Sequence, residues 1–119
     1  MYRTILKSKI HRAVVTDADL NYEGSLSIDP KLMAEADIMP YEKVDVVNIN
    51  NGQRFTTYAI KGKENSGEIA LNGGAARLGE IGDLVIIITY TSLPDEKLVH
   101  HHPIVILVDE KNNIKSIQK

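Results

Sequence analysis

The chain has 119 residues, of which 43% are hydrophobic and 25% charged, and its formal net charge is -2 at pH 7. This length suits one domain with a single modest core, and a slightly acidic chain with one Phe, five Tyr and no Trp argues against a nucleic-acid partner. The absence of cysteine excludes disulfides, a thiolate nucleophile and zinc held by Cys.

Membrane and export signals are also missing from the sequence. The N-terminal run MYRTILKSK lacks the apolar core of a signal peptide. The longest apolar runs, Leu84–Ile88 and Ile104–Val108, are too short to cross a bilayer. We therefore expect a cytoplasmic protein without a membrane partner.

The first third of the chain predicts two short strands, Arg3–Lys7 and His11–Thr16, followed by one helix. Asp29 is a good N-cap, Pro30 fits the first helical position, and KLMAEAD continues the helix until Pro40 closes the segment.

The middle of the chain predicts a β-hairpin. The apolar run Val44–Ile49 is followed by Asn50-Asn51-Gly52, a strong turn signal because Asn and Gly tolerate positive φ. The returning strand, Arg54–Ile60, is expected to place Arg54, Thr56 and Tyr58 on one face.

Further strands are predicted at Glu68–Leu71, Asp83–Thr91 and Ile104–Asp109, with a helical turn at Ala75–Leu78. The polar tail Lys111–Lys119 is expected to fray. Many short strands and two short helices favour a mainly β fold built as a small closed β-barrel, although a two-sheet sandwich has the same pattern.

Three motifs contain residue types that can bind a ligand or take part in catalysis, and each is first considered by itself. His100-His101-His102 is predicted to be a solvated loop and not a metal site, because adjacent residues on a strand point to opposite faces. The run from Asn72 to Ala76 is either a turn before a short helix or a backbone anion site. Gly24-Ser25, without a surrounding Gly-x-Ser-x-Gly, reads as an ordinary turn.

Together, the motifs resemble the aspartate 1-decarboxylase (aspartate α-decarboxylase) family. The resemblance rests on YEGS at Tyr22–Ser25 after KIHRAVVTDADL, and on NGQRFTTYAI at Asn51–Ile60, which is close to the family pattern NG-x-RF-x-TYAI. NGGAA, GDLVIII and Pro94-Asp95-Glu96 follow in the expected order, so the match extends from Arg3 to about Glu96.

The resemblance implies a closed six-stranded double-psi β-barrel with short helices, assembled as a homotetramer. It also implies that the single domain, residues 1–119, cuts itself between Gly24 and Ser25 into a β chain, 1–24, and an α chain, 25–119. In this reaction the Ser25 hydroxyl attacks the Gly24 carbonyl and the Thr57 hydroxyl donates to the oxyanion. Elimination and hydrolysis then leave a covalent pyruvoyl group at position 25, and whether maturation needs a helper protein stays open.

The pyruvoyl ketone is expected to form a Schiff base with the amine of L-aspartate and to accept electrons as carbon dioxide leaves, yielding β-alanine for pantothenate biosynthesis. By the same resemblance, Arg54 clamps a carboxylate, Lys9 is a second cation and Tyr58 donates a proton. The remaining expected residues are Thr57 and the backbone of Gly73, Gly74 and Ala75 around the substrate, with His11, Tyr22 and Asn72 in support. Gly74 departs from the alanine found in some members.

Two alternatives compete with this interpretation. One is a non-catalytic β-barrel module that binds a small anion or a protein partner and stays full-length. The other is an enzyme with the same mechanism that acts on a different acidic amino acid.

Overall fold

The N-terminal region forms one long strand where the sequence predicts two short ones. In the computed structural model, which describes residues 1–119, strand β1 runs from Tyr2 to Val14. The predicted break is a pair of irregularities in its pairing, one between Leu6 and Ser8 and one between Ile10 and Ala13. Arg12, at φ 63°, lies in the second of these. A β-bulge therefore bends the strand without ending it.

Eight further strands, one α-helix and two 3₁₀ helices complete the chain. The strands are β2 (Asp17–Asp19), β3 (Ser25–Ile28), β4 (Lys43–Asn48), β5 (Arg54–Lys61), β6 (Ile69–Asn72), β7 (Leu84–Pro94), β8 (Ile104–Val108) and β9 (Ile114–Gln118). Helix α1 spans Pro30–Glu35, and the 3₁₀ helices span Gly73–Arg77 and Asp95–His100. The mainly β prediction is confirmed.

The strands pair in the order β2-β6-β3-β5-β4-β7-β1-β8-β9. Most neighbours are antiparallel, but β1 runs parallel to β8, β2 to β6 and β3 to β5. This nine-stranded order has two free edges, at β2 and at β9. A closed six-stranded barrel is therefore not established by the pairing order alone.

The link between β1 and β2, residues Val15 and Thr16, is hydrogen-bonded to β6 and to the residue before β7. The Thr16 backbone N–H donates to the carbonyl of Ile69 over 2.8 Å, and the Ile69 N–H donates to Thr16 Oγ1 over 2.9 Å. Val15 N–H donates to the carbonyl of Asp83 over 2.9 Å. The chain thus passes from the β7 side of the fold to β6 while remaining hydrogen-bonded.

The core is a single cluster of aliphatic side chains. Strands β3 and β6 are buried at every position, and buried residues alternate with half-buried ones from Val44 to Asn48 of β4 and from Leu84 to Thr89 of β7. The largest side chains with almost no exposed area are Ile10, Leu26, Ile28, Leu32, Ile69, Leu71, Ile87 and Ile106. No helix is long and apolar enough to cross a membrane.

The hairpin and the face assignment of β5 are confirmed. Strands β4 and β5 pair antiparallel around residues 49–53, and Gly52 has φ 75°. Along β5, Arg54, Thr56 and Tyr58 are more exposed than the residues between them. The loop is longer than a two-residue turn because Asn48 Oδ1 accepts hydrogen bonds from the N–H groups of Asn50 and Asn51.

The prediction that the C-terminal tail frays is wrong. Residues Ile114–Gln118 form β9, which pairs antiparallel with β8 and sets Ile117 opposite Ile106. The turn before it is anchored by buried Asn112, whose side-chain amide donates to the carbonyls of Val14 and Gly67 over 2.8 and 2.7 Å. A polar tail is ordered here by hydrogen bonds to residues far away in sequence.

Asp29 is confirmed as the N-cap of α1, and it also holds a distant loop. Its carboxylate accepts from the backbone N–H groups of Lys31, Asn65 and Gly67 over 3.0, 3.1 and 2.9 Å. Burial raises the pKa of Asp29, but the donated backbone hydrogen bonds more than offset this and hold the pKa below its ordinary value. The helix itself ends at Glu35, earlier than predicted, because Asp37 adopts a left-handed conformation at φ 56°.

We predict that Asp29→Ala lowers the free energy of unfolding by roughly 2–4 kcal/mol at pH 7, because a cap and two further backbone donors lose their acceptor. Asp29→Asn should lose less, since it keeps one side-chain oxygen. Urea denaturation measures both changes.

The same carboxylate predicts a pH dependence of stability. Because its folded-state pKa is lowered, its stabilisation is complete above the ordinary carboxyl pKa near 4 and is lost as the pH falls through the folded-state pKa. Denaturation of wild type and Asp29→Asn from about pH 5 to about pH 2 should therefore give converging stabilities. Parallel curves would contradict this role.

Candidate active site

Ser25 begins β3 with its hydroxyl enclosed by the neighbouring strand. It pairs with Asn72 of β6, and only 1% of the residue is exposed. Ser25 Oγ donates to the carbonyl of Glu23 over 3.1 Å and accepts from Asn72 Nδ2 over 3.0 Å. The same amide nitrogen donates to Ser27 Oγ over 2.8 Å. The hydroxyl is therefore oriented by two hydrogen bonds, one to a backbone carbonyl and one from a side-chain amide.

Gly24 precedes this buried serine on an exposed turn that lies against Gly73. Gly73 has φ 65°, and a Cβ added to it would lie 2.7 Å from Gly24 Cα and 3.0 Å from the carbonyl oxygen of Tyr22. A Cβ added to Gly24 would meet nothing within 4 Å. The Gly24 backbone is thus in close contact with Gly73 on one side, whereas the space that a Gly24 side chain would occupy is open.

A groove of about 540 Å³ opens beside Ser25, and we call it the Ser25 groove. The parallel register of β3 with β5 pairs Leu26 with Ala59, which brings Tyr58 to the level of Ser25. The groove is lined by Tyr22, Glu23, Ser25, Pro40, Tyr41, Tyr58, Ile60 and Lys61. Ser25 and Tyr58 therefore share one groove within a single chain.

Five groove residues were not predicted as site residues. Glu23 and Ile60 belong to the family motifs quoted above, whereas Pro40, Tyr41 and Lys61 lie outside them. Tyr41 packs against Tyr58 with ring centroids 6.4 Å apart. Lys61 is the groove's one cationic side chain. No local motif marks these last three residues, because the pairing of β5 with β3 and the turn before β4 bring them together.

The two predicted carboxylate-binding cations lie elsewhere in the chain. Arg54 is exposed at the start of β5 and lines a smaller cleft of about 130 Å³ with Asp45 and Thr56. It precedes Tyr58 by four residues, which is about 13 Å along a strand. The structure does not bring Arg54 to the Ser25 groove of its own chain.

Lys9 also lies outside the Ser25 groove. It pairs with Ile88, Ile88 pairs with Asp45, and Asp45 pairs with Thr56, so these residues form one row across β1, β7, β4 and β5. Three strand spacings separate the ends of the row, or about 14 Å. Lys9 and Arg54 thus belong to one polar strip on the outer face of the sheet.

Asp45 interacts with two other side chains of that strip, Thr56 and Tyr90. Its carboxylate accepts from Thr56 Oγ1 over 2.6 Å. The pKa of Tyr90 is raised by burial first, then by the negative charge of Asp45 and a hydrogen bond to it, while Arg54 acts in the opposite direction. Tyr90 therefore remains a neutral phenol beside a carboxylate and a guanidinium.

His11 lies on the same strand as Lys9, outside the Ser25 groove. Burial lowers the pKa of His11 first, and the positive charges of Lys9 and Arg12 lower it further. A neutral imidazole is therefore favoured near neutral pH. Tyr22, by contrast, is 54% exposed and lines the groove directly.

Thr57 and the glycine run lie close to the Gly24 turn. Thr57 is half-buried on the opposite face of β5 from Tyr58, and extending the β3–β5 register back by two residues sets it at the level of Gly24. Gly74 and Ala75 belong to the 3₁₀ helix that follows Asn72. A Cβ on Gly74 would meet nothing within 4 Å, while Ala75 is buried.

The histidine run is only partly solvated. His101 is half-buried, and its Nε2 lies 2.7 Å from the carbonyl oxygen of Leu6 on β1. His100 and His102 are exposed, and His100 ends the second 3₁₀ helix. One ring therefore ties this segment to β1.

Comparison with known proteins gives matches over almost the whole chain. The model of a family described as aspartate decarboxylase matches residues 1–115. A protein of Thermoanaerobacter pseudethanolicus named aspartate 1-decarboxylase is 59% identical over 112 residues, covering 94% of this chain and 96% of its own length. Proteins of the same name from Syntrophomonas wolfei and Cupriavidus taiwanensis are 57% and 54% identical, each with at least 98% of both chains covered.

We predict that Gly73→Ala destabilises the protein by roughly 2 kcal/mol or more, because an L-residue at positive φ costs about 1–2 kcal/mol before any overlap with Gly24. Gly74→Ala is the matched control, since its Cβ enters open space. Chemical denaturation of the two variants measures the difference. Equal stabilities would show that the Gly24–Gly73 approach is not a constraint.

Proposed function

Because this chain belongs to the aspartate decarboxylase family, we propose that it removes the α-carboxylate of L-aspartate as carbon dioxide and forms β-alanine. It is then a carbon-carbon lyase of the carboxy-lyase class. The observation that carries the proposal is the position of Ser25, which is buried behind an open glycine peptide and faces a groove that also contains Tyr58. Service to pantothenate biosynthesis and a cytoplasmic location stay predictions.

The first reaction in this proposal is the self-cleavage of the chain. Ser25 Oγ forms a bond to the Gly24 carbonyl carbon, and the amide nitrogen leaves that carbon, so the peptide becomes an ester. Elimination breaks the Cβ–Oγ bond, releases residues 1–24 with a Gly24 carboxylate and leaves dehydroalanine at position 25. Water then replaces the nitrogen, which departs as ammonia, and residues 25–119 begin with a pyruvoyl group.

Three features of the site support this sequence of steps. Gly24 has no side chain of its own to shield its carbonyl, and Gly73 restrains its backbone from one side. Asn72 holds the Ser25 oxygen by an N–H donor, which leaves a lone pair for the attack. The hydroxyl of Thr57, at the level of Gly24, is the proposed donor to the oxyanion, a contribution that is typically worth about 10²–10³ in rate.

The residues around position 25 also fit a small covalent ketone. The groove beside it is about 540 Å³ in volume, and the Asn72 amide is already directed at position 25. A pyruvoyl group supplies a carbonyl that takes the substrate amine and withdraws electrons from the breaking bond. The Tyr58 phenol, on the adjacent strand, is the proposed proton donor to the substrate carbon that loses carbon dioxide.

Recognition of the substrate carboxylates is proposed to come from a neighbouring copy of the chain. Arg54 and Lys9 lie on the outer strip and line no part of the Ser25 groove of their own chain, and Arg54 is about 13 Å along β5 from Tyr58. The side chains of Ile86, Ile88 and Val105 beside the strip are apolar and half-buried. Burial of this face in a homotetramer would set its cations against another copy's Ser25 groove.

The glycine run and the supporting residues retain their proposed roles. The backbone N–H groups of Gly73, Gly74 and Ala75 follow directly after Asn72 and are proposed to meet the substrate from the turn side. Tyr22 borders the groove and shapes its entrance. His11 stays a predicted supporting residue for the processing turn, and it lies on β1 with Lys9, outside the Ser25 groove.

A closed six-stranded double-psi β-barrel is the proposed architecture. The supporting observation is the hydrogen-bonded link of Val15 and Thr16, which joins β1 to β2. If β1 and β2 are counted as one bent strand, the order β6-β3-β5-β4-β7-β1/β2 returns to β6. Strands β8 and β9 then lie outside the closed ring.

We predict that Ser25→Ala abolishes self-cleavage and aspartate turnover, because both the nucleophile and the precursor of the ketone are removed. Intact mass under denaturing conditions should show two wild-type fragments that meet between Gly24 and Ser25. The larger should be lighter than the same fragment with an N-terminal serine by the elements of ammonia. The variant should show one full-length mass.

Ser27→Ala is the matched control for that experiment. Ser27 is buried on the same strand and accepts from the same Asn72 nitrogen, but it does not follow Gly24. It should still cleave. A wild-type chain that keeps its full-length mass after prolonged warming and has no aspartate activity would instead favour the non-catalytic barrel.

We predict that Arg54→Ala lowers kcat/KM for aspartate by roughly 10- to 100-fold, as expected for loss of a hydrogen-bonded charge pair, and leaves self-cleavage intact. Arg3→Ala, which removes an exposed partner of Asp95, is the control. Co-expression of Arg54→Ala with Ser25→Ala, followed by two-tag purification of mixed oligomers, should give an activity above that of either variant alone. Mixed oligomers without such recovery would mean that Arg54 does not serve the groove of another copy.

A further inference from the structure

We infer that Tyr41 is a positioning residue that holds the Tyr58 ring at the Ser25 groove. The inference rests on the proposed function, since Tyr58 is there the proton donor. Tyr41 precedes β4, is 78% exposed and lines the groove next to Pro40.

The Tyr41 backbone adopts a conformation that a bulky side chain rarely takes. Its φ is 72°, in the left-handed region, which is a marked outlier for a residue of this size. Burial of the side chain does not account for it, because most of the ring faces solvent. Strained residues of this kind persist when their surroundings determine the backbone, and they concentrate at functional sites.

The surroundings do determine this backbone. The Tyr41 N–H donates to the carbonyl of Ala59 over 2.7 Å, and the Ala59 N–H donates to the carbonyl of Glu42 over 2.9 Å. The Glu42 carboxylate accepts from the Met39 N–H over 2.9 Å and pairs with Lys7 Nζ over 2.6 Å. The turn is therefore fastened to β5 at the residue that follows Tyr58.

This attachment places the two rings together at the groove. Their centroids are 6.4 Å apart and their planes are tilted by 38°, which is within the range of favourable aromatic pairs. Tyr41 is the one aromatic contact that Tyr58 makes in the chain. Tyr58 is 36% exposed, so about a third of its surface is open and the Tyr41 ring packs beside it at the groove.

The test compares Tyr41→Asn with Tyr41→Phe. Asn tolerates positive φ and keeps the turn while it removes the ring, whereas Phe keeps the ring and removes only the hydroxyl. We expect Tyr41→Asn to lower kcat roughly 2- to 12-fold, the range that corresponds to loss of one aromatic pair, with little change in KM. Tyr41→Phe should retain the wild-type kcat, and both variants should cleave themselves and assemble as wild type does.

A second measurement does not depend on activity. The chain has five tyrosines, so ¹³C labelling of tyrosine gives few ring signals, and Tyr58→Phe identifies those of Tyr58. The ring signals of Tyr58 should change in chemical shift and indicate a more mobile ring in Tyr41→Asn but not in Tyr41→Phe. The midpoint temperature of thermal unfolding should not be lower for Tyr41→Asn than for wild type. A loss of kcat could then be assigned to positioning and not to loss of stability.

The outcomes separate this inference from the proposed function. An active wild type with an unchanged kcat in Tyr41→Asn overturns the inference and leaves the proposed function standing. A loss that is equal in the Asn and Phe variants, or one without a change in the Tyr58 signals, also overturns it. A wild type that cleaves but does not decarboxylate aspartate refutes the proposed function, and the Tyr58 signals alone then decide whether Tyr41 holds the ring.

Discussion

The close approach of two glycine backbones, Gly24 and Gly73, is the constraint around which this site is built. Any side chain on Gly73 would overlap the Gly24 backbone, so β6 and the turn before β3 can meet this closely only because Gly73 lacks a Cβ, whereas a Cβ on Gly24 would meet nothing within 4 Å. That approach brings Asn72 opposite Ser25, where one amide group bonds both Ser25 and Ser27. A reactive peptide can therefore be exposed at its glycine while its serine stays buried.

Strand β5 distributes the functional groups along its length. Its C-terminal half runs parallel to β3 and presents Tyr58 to the Ser25 groove. Its N-terminal half pairs with β4 and presents Arg54 to the outer strip, next to Asp45. One strand thus contributes to two surfaces about 13 Å apart, because the rise per residue is constant and the exposed side chains share one face. A site that needs both groups is built most simply from two copies of the chain.

The parts of the fold that sequence predicts well are those with local causes. Asp29 and Pro30 start a helix through a cap and a fixed φ, and the alternation of exposed and less exposed residues along β5 follows from the period of a strand. The parts that it misses depend on distant partners. Residues 114–118 form a strand because of β8 and the Asn112 hydrogen bonds, and Tyr41 reaches the groove because Ala59 holds its backbone. For the site, the family motifs predict Ser25, Tyr58 and Asn72 near one another, but not the separation of Arg54 and Lys9 from them.

The long first strand has a consequence for the order of events in the life of the molecule. Residues 2–14 lie between β7 and β8, bonded on both sides, and the proposed cut falls ten residues beyond them. A cut at that point leaves the pairing of β1 with β7 and β8 and of β2 with β6 intact, so the short fragment would stay in place. Unfolding of the cut protein, however, separates two polypeptides, and its reversal requires them to find each other again. Folding before cleavage is a unimolecular search, and after cleavage it would be a bimolecular one. The proposed cleavage would therefore also make the folded state difficult to regain.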